Sequence, residues 1–546
     1  ELKKQLYNVR EILISEHKSL FLDQLDDIIN KVNIFGYHFA SLDIRQDSRI
    51  HSKAFESVFK VAQDLLITNS KENYSTLSED QKIKILSKLS GDIPVNSFTN
   101  DSVVSILSSI RAMKLIQKSN GEMGSNRYII SNNQSALNIL EVFSMFKLSD
   151  WKSPTVDIIP LFETVSDLKV AGKVMESVYN NSTYRKHLAN REDRQTIMLG
   201  FSDGTKDGGY LMANWSILKA KESLTSISRK YGVKVVFFDG RGGPPARGGG
   251  NTHQFYASMG TFVESDEIQL TVQGQTISSN FGTVDSCQYN LEQLLSAGIQ
   301  NRVLNFDSND SKKDDKAILD KLAQISYKSY TDFKNHPKFV PYLEHMSTIK
   351  YYAKTNIGSR PSKRGKSDDK FDFNSLRAIP FVGSWSQLKQ NVPGFYGVGT
   401  ALKYYDDNNK FSELKKLYKR SPFFRTLISN SMMSLTKSFF KLTAYMKEDP
   451  EFGEFWTIIY NEYELSKLLI LKLSGFKNLM ENEPANKASI ETREKIVLPL
   501  ITIQQYALRK IKQIEGGELT KSELKTYEKM VTRSLFGNIN ASRNSA

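Results

Sequence analysis

Two carboxylates stand where chemistry can begin. Glu163 closes one β-like run, Asp157-Ile158-Ile159-Pro160-Leu161-Phe162-Glu163, and Asp203 follows the next, Thr196-Ile197-Met198-Leu199-Gly200-Phe201. Carboxylates on neighbouring strand ends suit a hard divalent cation, because Mg²⁺ takes one or two of them and completes its shell with water and substrate oxygens. On these residues alone a helix cap or a lysine partner explains each more simply. Asp203 belongs to Gly200-Phe201-Ser202-Asp203-Gly204-Thr205-Lys206-Asp207-Gly208-Gly209, whose glycines permit a tight turn with Asp203 and Lys206 at the top of a strand. The Walker order of Gly-Lys-Ser/Thr is missing, and a turn running into a helix N-cap is the plain alternative. Gly240-Arg241-Gly242-Gly243-Pro244-Pro245-Ala246-Arg247-Gly248-Gly249-Gly250 is the most unusual stretch. Consecutive glycines leave backbone N–H groups open to an anion, and Arg241 and Arg247 add bidentate donors for phosphate or carboxylate. Since it directly follows a strongly hydrophobic strand, an anion site is a better reading than a flexible linker.

Other reactive residue types carry less. His38, His51 and His253 make no metal-binding pattern and read as structural hydrogen-bonders. Cys287, the single cysteine, excludes an internal disulfide framework and a Cys-rich zinc module, suits a reducing cytoplasm, and reads as a buried thiol. Leu161 and Met198 sit inside strands as core residues, and Lys437 and Arg493 read as solvated charge on amphipathic helices. The stretch from Ser359 to Asp372, rich in Arg, Lys, Gly and Asp, reads first as a disordered surface connection.

These residues need a scaffold, and 546 residues supply enough chain for about three to four domains, or fewer if an α/β barrel is one of them. The 74 Lys+Arg against 60 Asp+Glu give a net charge of +14, but the basic residues are scattered among acidic ones, with no arginine-rich tract or RNP-like sequence to read as a nucleic-acid surface. No uncharged apolar run reaches the ~20 residues of a membrane span. The chain opens Glu1-Leu2-Lys3-Lys4 within an amphipathic helix, without Met or a signal-peptide plan, and is expected to be a piece of something longer. Besides the two runs above, five more look like strands: Leu42-Asp43-Ile44-Arg45, Tyr128-Ile129-Ile130-Ser131, Lys234-Val235-Val236-Phe237-Phe238-Asp239, Thr276-Ile277-Ser278-Ser279-Asn280-Phe281 and Arg377-Ala378-Ile379-Pro380-Phe381-Val382. Helical spacing separates several of them, which predicts parallel strands joined by helical crossovers, with Arg45, Glu163, Asp203, Asp239 and Arg241 at or just after strand ends. From about Phe411 onward only helical spacing remains.

Together these segments resemble phosphoenolpyruvate carboxylase over essentially the entire chain. The resemblance rests on Leu42-Asp43-Ile44-Arg45-Gln46-Asp47-Ser48, Ile159-Pro160-Leu161-Phe162-Glu163-Thr164, Gly200-Phe201-Ser202-Asp203 with Lys206-Asp207, and Gly240-Arg241-Gly242-Gly243 with Arg247-Gly248-Gly249. Ile357-Gly358-Ser359-Arg360-Pro361, Ser375-Leu376-Arg377-Ala378-Ile379-Pro380 and Arg543-Asn544 follow in family order. It implies an α/β, predominantly helical protein around a TIM-type eight-stranded parallel barrel. The first strand, with its catalytic-histidine motif Thr-Ala-His-Pro-Thr-Glu, is absent from this chain, which is therefore expected to be inactive alone. Residues 1–410 are expected to carry the barrel and active-site loops, and 411–546 an all-helical region with an inhibitor site.

The implied reaction joins phosphoenolpyruvate and bicarbonate into oxaloacetate and phosphate through carboxyphosphate and an enolate, using Mg²⁺ or Mn²⁺. By resemblance Glu163 and Asp203 are the metal ligands, Arg45, Arg241 and Arg377 surround the substrate phosphate, and Lys206 serves the bicarbonate region. Leu161 and Met198 form an apolar CO₂ pocket, and the segment from Ser359 to Asp372 becomes a mobile active-site loop. Arg247, Lys437, Arg493 and Asn544 match an aspartate or malate inhibitor site. A cytoplasmic homotetramer without membrane or nucleic-acid partners is implied for the full-length enzyme. Three positions depart from the family: Asp239 replaces the usual histidine before Gly-Arg-Gly-Gly, Asn544-Ser545-Ala546 replaces Asn-Thr-Gly, and Ser48-Arg49-Ile50-His51 replaces Ser-x-Arg-His. The rival readings are another Mg²⁺-dependent barrel enzyme of phosphoenolpyruvate or pyruvate, a non-catalytic dicarboxylate sensor, and a nucleic-acid binder.

Overall fold

A computed structural model describes residues 1–65, 73–272, 274–303, 313–352, 373, 376–515 and 520–542. The stretch from Ser359 to Asp372 and Asn544 therefore lie outside the described residues. Helices dominate, and six strands form one parallel sheet in chain order: β1 (Asp43–Asp47), β2 (Arg127–Ser131), β3 (Asp157–Phe162), β4 (Arg194–Leu199), β5 (Lys234–Asp239) and β6 (Ile268–Leu270). Pairing aligns Arg45 with Ile129, Ile129 with Ile159, and Phe237 with Ile268. In β3, β4 and β5 every residue after the first is buried. Burial on both faces is what parallel strands under helical crossovers require, and it explains why their sequences are nearly continuous apolar runs.

Five of the seven β-like runs form strands. Thr276–Phe281 instead belongs to the helix Gly274–Phe281, and Arg377–Val382 is the N-cap and first turn of the helix Ala378–Gln387. Short apolar runs do not distinguish strand from helix. In the second case the deciding pattern extends past the run: Ala378, Phe381, Val382 and Trp385 are all buried at helical spacing. Pro380 falls in the first turn, where its missing N–H breaks no helical hydrogen bond. The missed strand, β6, is three residues long and follows Glu264-Ser265-Asp266-Glu267, so its pairing with β5 rather than its composition sets its state. Beyond Phe411 the described residues form no strand, as expected.

Two compact units make up the chain. The first comprises Glu1–Phe162, Ala171–Met198 and Ile227–Val235; the second comprises Glu163–Val170, Leu199–Ser226 and Val236–Ala546. Inside the first unit, His51 Nε2 lies 2.9 Å from the Tyr128 hydroxyl, so this histidine is a structural hydrogen-bonder. Inside the second, Phe333 centres an aromatic cluster with ring centroids at 4.1 Å from Tyr396, 5.2 Å from Phe455, 5.1 Å from Phe339 and 6.0 Å from Trp385. Trp385 brings the buried helix Ala378–Gln387 into this cluster, which fixes the position of Arg377 at its N-cap. Among the described residues no helix is long and apolar enough to cross a membrane.

Phe333→Ala should destabilise the protein by about 3–5 kcal/mol, the usual loss for a buried aromatic ring. A urea midpoint unchanged from that of the parent protein would show that the cluster does not anchor this helix.

Candidate active site

Glu163 is the first residue after β3 and is buried. At the start of the following helix, Val165–Asn180, the Asp167 Oδ2 accepts from the Glu163 N–H at 3.4 Å and the Thr164 N–H at 3.0 Å, while the Asp167 N–H donates to Thr164 Oγ1 at 3.1 Å. Asp167 and Thr164 thus supply a reciprocal cap at this turn. Asp203 sits in the first turn of the helix Phe201–Gly208. That helix is fastened to the Glu163 turn by Asp207, whose Oδ2 accepts from the Val165 N–H at 3.1 Å. Close backbone approach does the rest. A Cβ on Gly204 would lie 3.4 Å from the Glu163 carbonyl oxygen, and one on Gly208 only 2.6 Å from Val165 Cγ2. The two carboxylate-bearing segments are thus packed directly on one another.

Their donor chemistry fits a hard divalent ion. Among the described residues no group of three or more His, Cys, Asp or Glu side chains gathers as a metal cage. A Mg²⁺ site of two carboxylates completed by substrate oxygens and water needs no third protein anion.

Lys206, on the same helix as Asp203, donates to the carbonyls of Phe373 at 2.9 Å and Leu376 at 2.5 Å, and its ammonium lies 4.5 Å from the centre of the Phe373 ring. Leu376 immediately precedes Arg377, so Lys206 holds the chain next to Arg377.

The glycine-rich segment is a compact, internally bonded loop. It leaves β5 with the Gly240 N–H donating to the Leu199 carbonyl at 2.9 Å. The Gly242 N–H then donates to Arg247 at 3.2 Å, Gly248 to Pro245 at 2.8 Å, Gly249 to Pro244 at 2.9 Å, and Gly250 to Gly243 at 3.0 Å. This corrects, for these five glycines, the expectation that the N–H groups lie open to an anion: they are engaged within the loop and with Leu199. Gly249 is glycine for steric reasons, because a Cβ there would lie 1.9 Å from the Gly242 carbonyl oxygen. Gly248 adopts φ +74° against Phe201, where a side chain would be both strained and obstructed.

Both arginines of the loop are buried. Arg241 stacks 4.5 Å from the centre of the Phe255 ring, and its guanidinium donates to Thr252 Oγ1 at 2.9 Å and the Asn251 carbonyl at 3.4 Å. Among the described residues its Nε finds no acceptor. Burial lowers its pKa, opposed by Tyr256, Tyr210 and Asp239. Arg247 is pushed down to about 10 by burial, against the pull of Asp203 and Tyr352. Its carbonyl accepts from Ser202 Oγ at 3.3 Å, which joins the loop to the Asp203 helix. Of the remaining expected residues, Arg45 is half-buried in β1, and Leu161 and Met198 are buried in β3 and β4; all three belong to the first unit.

A model of the phosphoenolpyruvate carboxylase family matches residues 1–542. The chain belongs to the phosphoenolpyruvate carboxylase family. Its activity is therefore that of a carboxy-lyase, which fixes carbon by joining bicarbonate to phosphoenolpyruvate and yields oxaloacetate and phosphate. The family generally employs a divalent metal, which the Glu163–Asp203 arrangement suits.

A second cation cluster lies at the end of the helix Pro422–Thr436, where Lys437 is the C-cap. Part of this side chain remains accessible, yet burial pushes its ammonium down to about 8, helped by the like charges of Lys389 and Arg493 and opposed by Glu494. Lys389 donates to Glu494 Oε1 at 2.6 Å. The reading of Lys437 as simple solvated charge is thereby corrected, whereas Arg493 is exposed. The same helix supports the glycine loop: Asn430 Oδ1 accepts from the Asn251 N–H at 3.4 Å, and its Nδ2 donates to the Gly249 carbonyl at 3.4 Å.

Sequence reasoning passed over Lys389, Asn430, Lys221 and Tyr256. Lys221 did leave a signal. Asn214, Leu218, Lys221, Thr225 and Ser228 mark one buried stripe of the helix Tyr210–Lys230, so the lysine faces inward. Cys287, expected to be buried, is only partly so.

Gly249→Ala should raise the KM for phosphoenolpyruvate by at least about tenfold, because carbonyls in the loop backbone must move to admit the methyl group. Steady-state kinetics in the full-length enzyme, with circular dichroism to confirm folding, test this; an unchanged KM means that the loop tolerates the extra carbon.

Proposed function

We propose that Glu163 and Asp203 hold Mg²⁺ or Mn²⁺ in this enzyme, and that Arg45, Arg241 and Arg377 surround the phosphate of phosphoenolpyruvate. The observation that supports this most is the packing of the Glu163 turn on the Asp203 helix, with the Arg241–Arg247 loop joined to that same helix through Ser202. When bound, the metal supplies Lewis-acid polarisation and offsets charge on substrate oxygens. The chain's own groups do the remaining work. Guanidinium groups balance the negative charge that shifts as the phosphoryl group passes from the enol oxygen to bicarbonate. Arg241 and Arg247 arrive with little hydration to lose, since the fold has already removed them from water. Lys206 serves the bicarbonate region and holds the chain before Arg377, while Leu161 and Met198 line an apolar pocket that keeps water from CO₂.

The parallel sheet is read as the greater part of a closed eight-stranded barrel, with catalytic groups at the carboxyl ends of its strands. Residues 411–546 form the helical region that carries inhibition. There Lys437, Arg493 and Asn544, with Arg247 from the glycine loop, bind aspartate or malate. An inhibitor that grips Arg247 draws on a loop that catalysis also needs, and this supplies a free-energy coupling between the two sites. The enzyme acts in the cytoplasm as a homotetramer and replenishes oxaloacetate for the tricarboxylic acid cycle.

Glu163→Gln and Asp203→Asn should each lower kcat/KM by at least about 10³-fold and raise the metal concentration needed for half-maximal activity. Labelled bicarbonate supplied to the full-length parent enzyme should appear in oxaloacetate, and if either variant keeps the parent metal dependence the ligand assignment fails.

Inhibition should also depend on pH. Lys437 must be protonated to attract a carboxylate, and its ammonium titrates at about 8 among Lys389, Arg493 and Glu494. Charge is present below that value and lost above it, so the inhibition constant for aspartate should rise as pH passes upward through 8. The limit is roughly tenfold per pH unit for one proton. A flat profile from pH 7 to 9, or one unchanged by Lys437→Gln, removes Lys437 from the inhibitor site.

A further inference from the structure

One pair of charges in the second unit is wholly withdrawn from water. Lys221 and Asp239 have side-chain exposures of 2% and 0%, with Nζ 2.7 Å from Oδ2. Tyr256 donates its hydroxyl to the same oxygen at 2.6 Å. Rings flank the ammonium, with the centre of Phe237 at 5.0 Å and of Tyr256 at 5.4 Å. A buried ion pair is a poor way to gain stability, because well-packed apolar side chains of similar volume usually do as well or better. Its location offers a different reason for its presence.

Asp239 ends β5 two residues before Arg241. The short helix Thr252–Ala257 grips both residues: Tyr256 bonds Asp239, while Phe255 and Thr252 hold the Arg241 guanidinium. Phe255 and Tyr256 are themselves in edge-on contact at 5.4 Å. Asp239 is close enough for its charge to act on Arg241, and among the described residues its Oδ1 accepts no hydrogen bond. A lone carboxylate here would be attracted to the nearest buried guanidinium, and in a low-dielectric interior that attraction is strong. Lys221 supplies the opposing charge from the other side. Among the described residues, Glu264 and Glu267 line a small cavity with Lys221 and Tyr256.

We propose that Lys221 is a positioning residue of the carboxylation reaction: by occupying the Asp239 carboxylate it leaves the Arg241 guanidinium for the substrate phosphate. The proposal rests on the reading of Arg241 as a phosphate ligand. Lys221 touches no reacting atom. It keeps a carboxylate at the strand end from competing with the substrate's own anion.

Steady-state kinetics on the full-length enzyme test this with Lys221→Met, the double variant Lys221→Met/Asp239→Asn, and Arg241→Gln. Lys221→Met should raise the KM for phosphoenolpyruvate at least roughly tenfold while kcat stays within about threefold, because binding of the phosphate is what suffers. Removing the competing charge with Asp239→Asn in the same chain should bring KM back to within about threefold of the parent. A Lys221→Met enzyme with unaltered KM, or with kcat reduced and KM unmoved, overturns the proposal. So does a double variant as impaired as the single one. If Lys221→Met does not fold, the double variant decides: a KM within about threefold of the parent supports the proposal, and a tenfold rise overturns it. Arg241→Gln separates the two layers. Should it leave the KM unmoved, the phosphate role of Arg241 falls and takes the proposal with it. Should it raise KM while Lys221→Met does not, only the role of Lys221 is lost.

Discussion

A cation taken out of water gives up its hydration, and it stays charged only where rings, carbonyls and carboxylates replace that water. This constraint governs the second unit. Arg241 lies on Phe255 and donates to Thr252 and Asn251; Arg247 is opposed by Asp203 and Tyr352; Lys221 is matched by Asp239. Lys206 is satisfied by two carbonyls. Each arrangement immobilises its cation before any substrate arrives. The expense of burying charge is met during folding, so under the proposed assignment electrostatic stabilisation of a phosphoryl group would need little reorganisation at the moment of reaction.

The glycine loop follows from the same constraint. To place two guanidinium groups within a few residues of one strand end, the backbone must fold tightly on itself. Carbonyl oxygens at Gly242 and Gly243 then occupy the space that a side chain on Gly249 would need. Five of the loop's glycine N–H groups are used in this folding, so backbone rigidity and side-chain charge have separate providers. Asn430 from the helix Pro422–Thr436 closes the far side, and that helix ends at Lys437. One rigid element therefore runs from the loop to a second cluster of positive charge.

Much of this was legible in the amino-acid order. Strands β2, β3 and β5 carry apolar runs ended by turns, and the carboxylates Glu163 and Asp203 stand out by their place after β3 and β4. Recognition of the family came from several motifs in one order, which no single spacing supplied. The misreadings have a common cause. Ile379-Pro380-Phe381-Val382 resembles a strand until Trp385 extends the pattern, and β6 has too few residues to show a period. Lys221 was lost, and Lys437 read by itself as solvated charge, because a lysine in a helical segment reads as surface unless its buried neighbours are traced along one stripe. The net charge of +14 was uninformative for a related reason: some of the cations that matter are internal.

The Lys221–Asp239 pair has a historical consequence. Breaking a buried ion pair by losing one member destabilises a protein by about 3–5 kcal/mol, a large share of the 5–15 kcal/mol that typically separates folded from unfolded chains. A lineage carrying this pair cannot discard either member first without passing through a fragile ancestor. Other residues around the two can drift singly, but these two can be inherited only as a unit, so in related sequences they should appear together or vanish together.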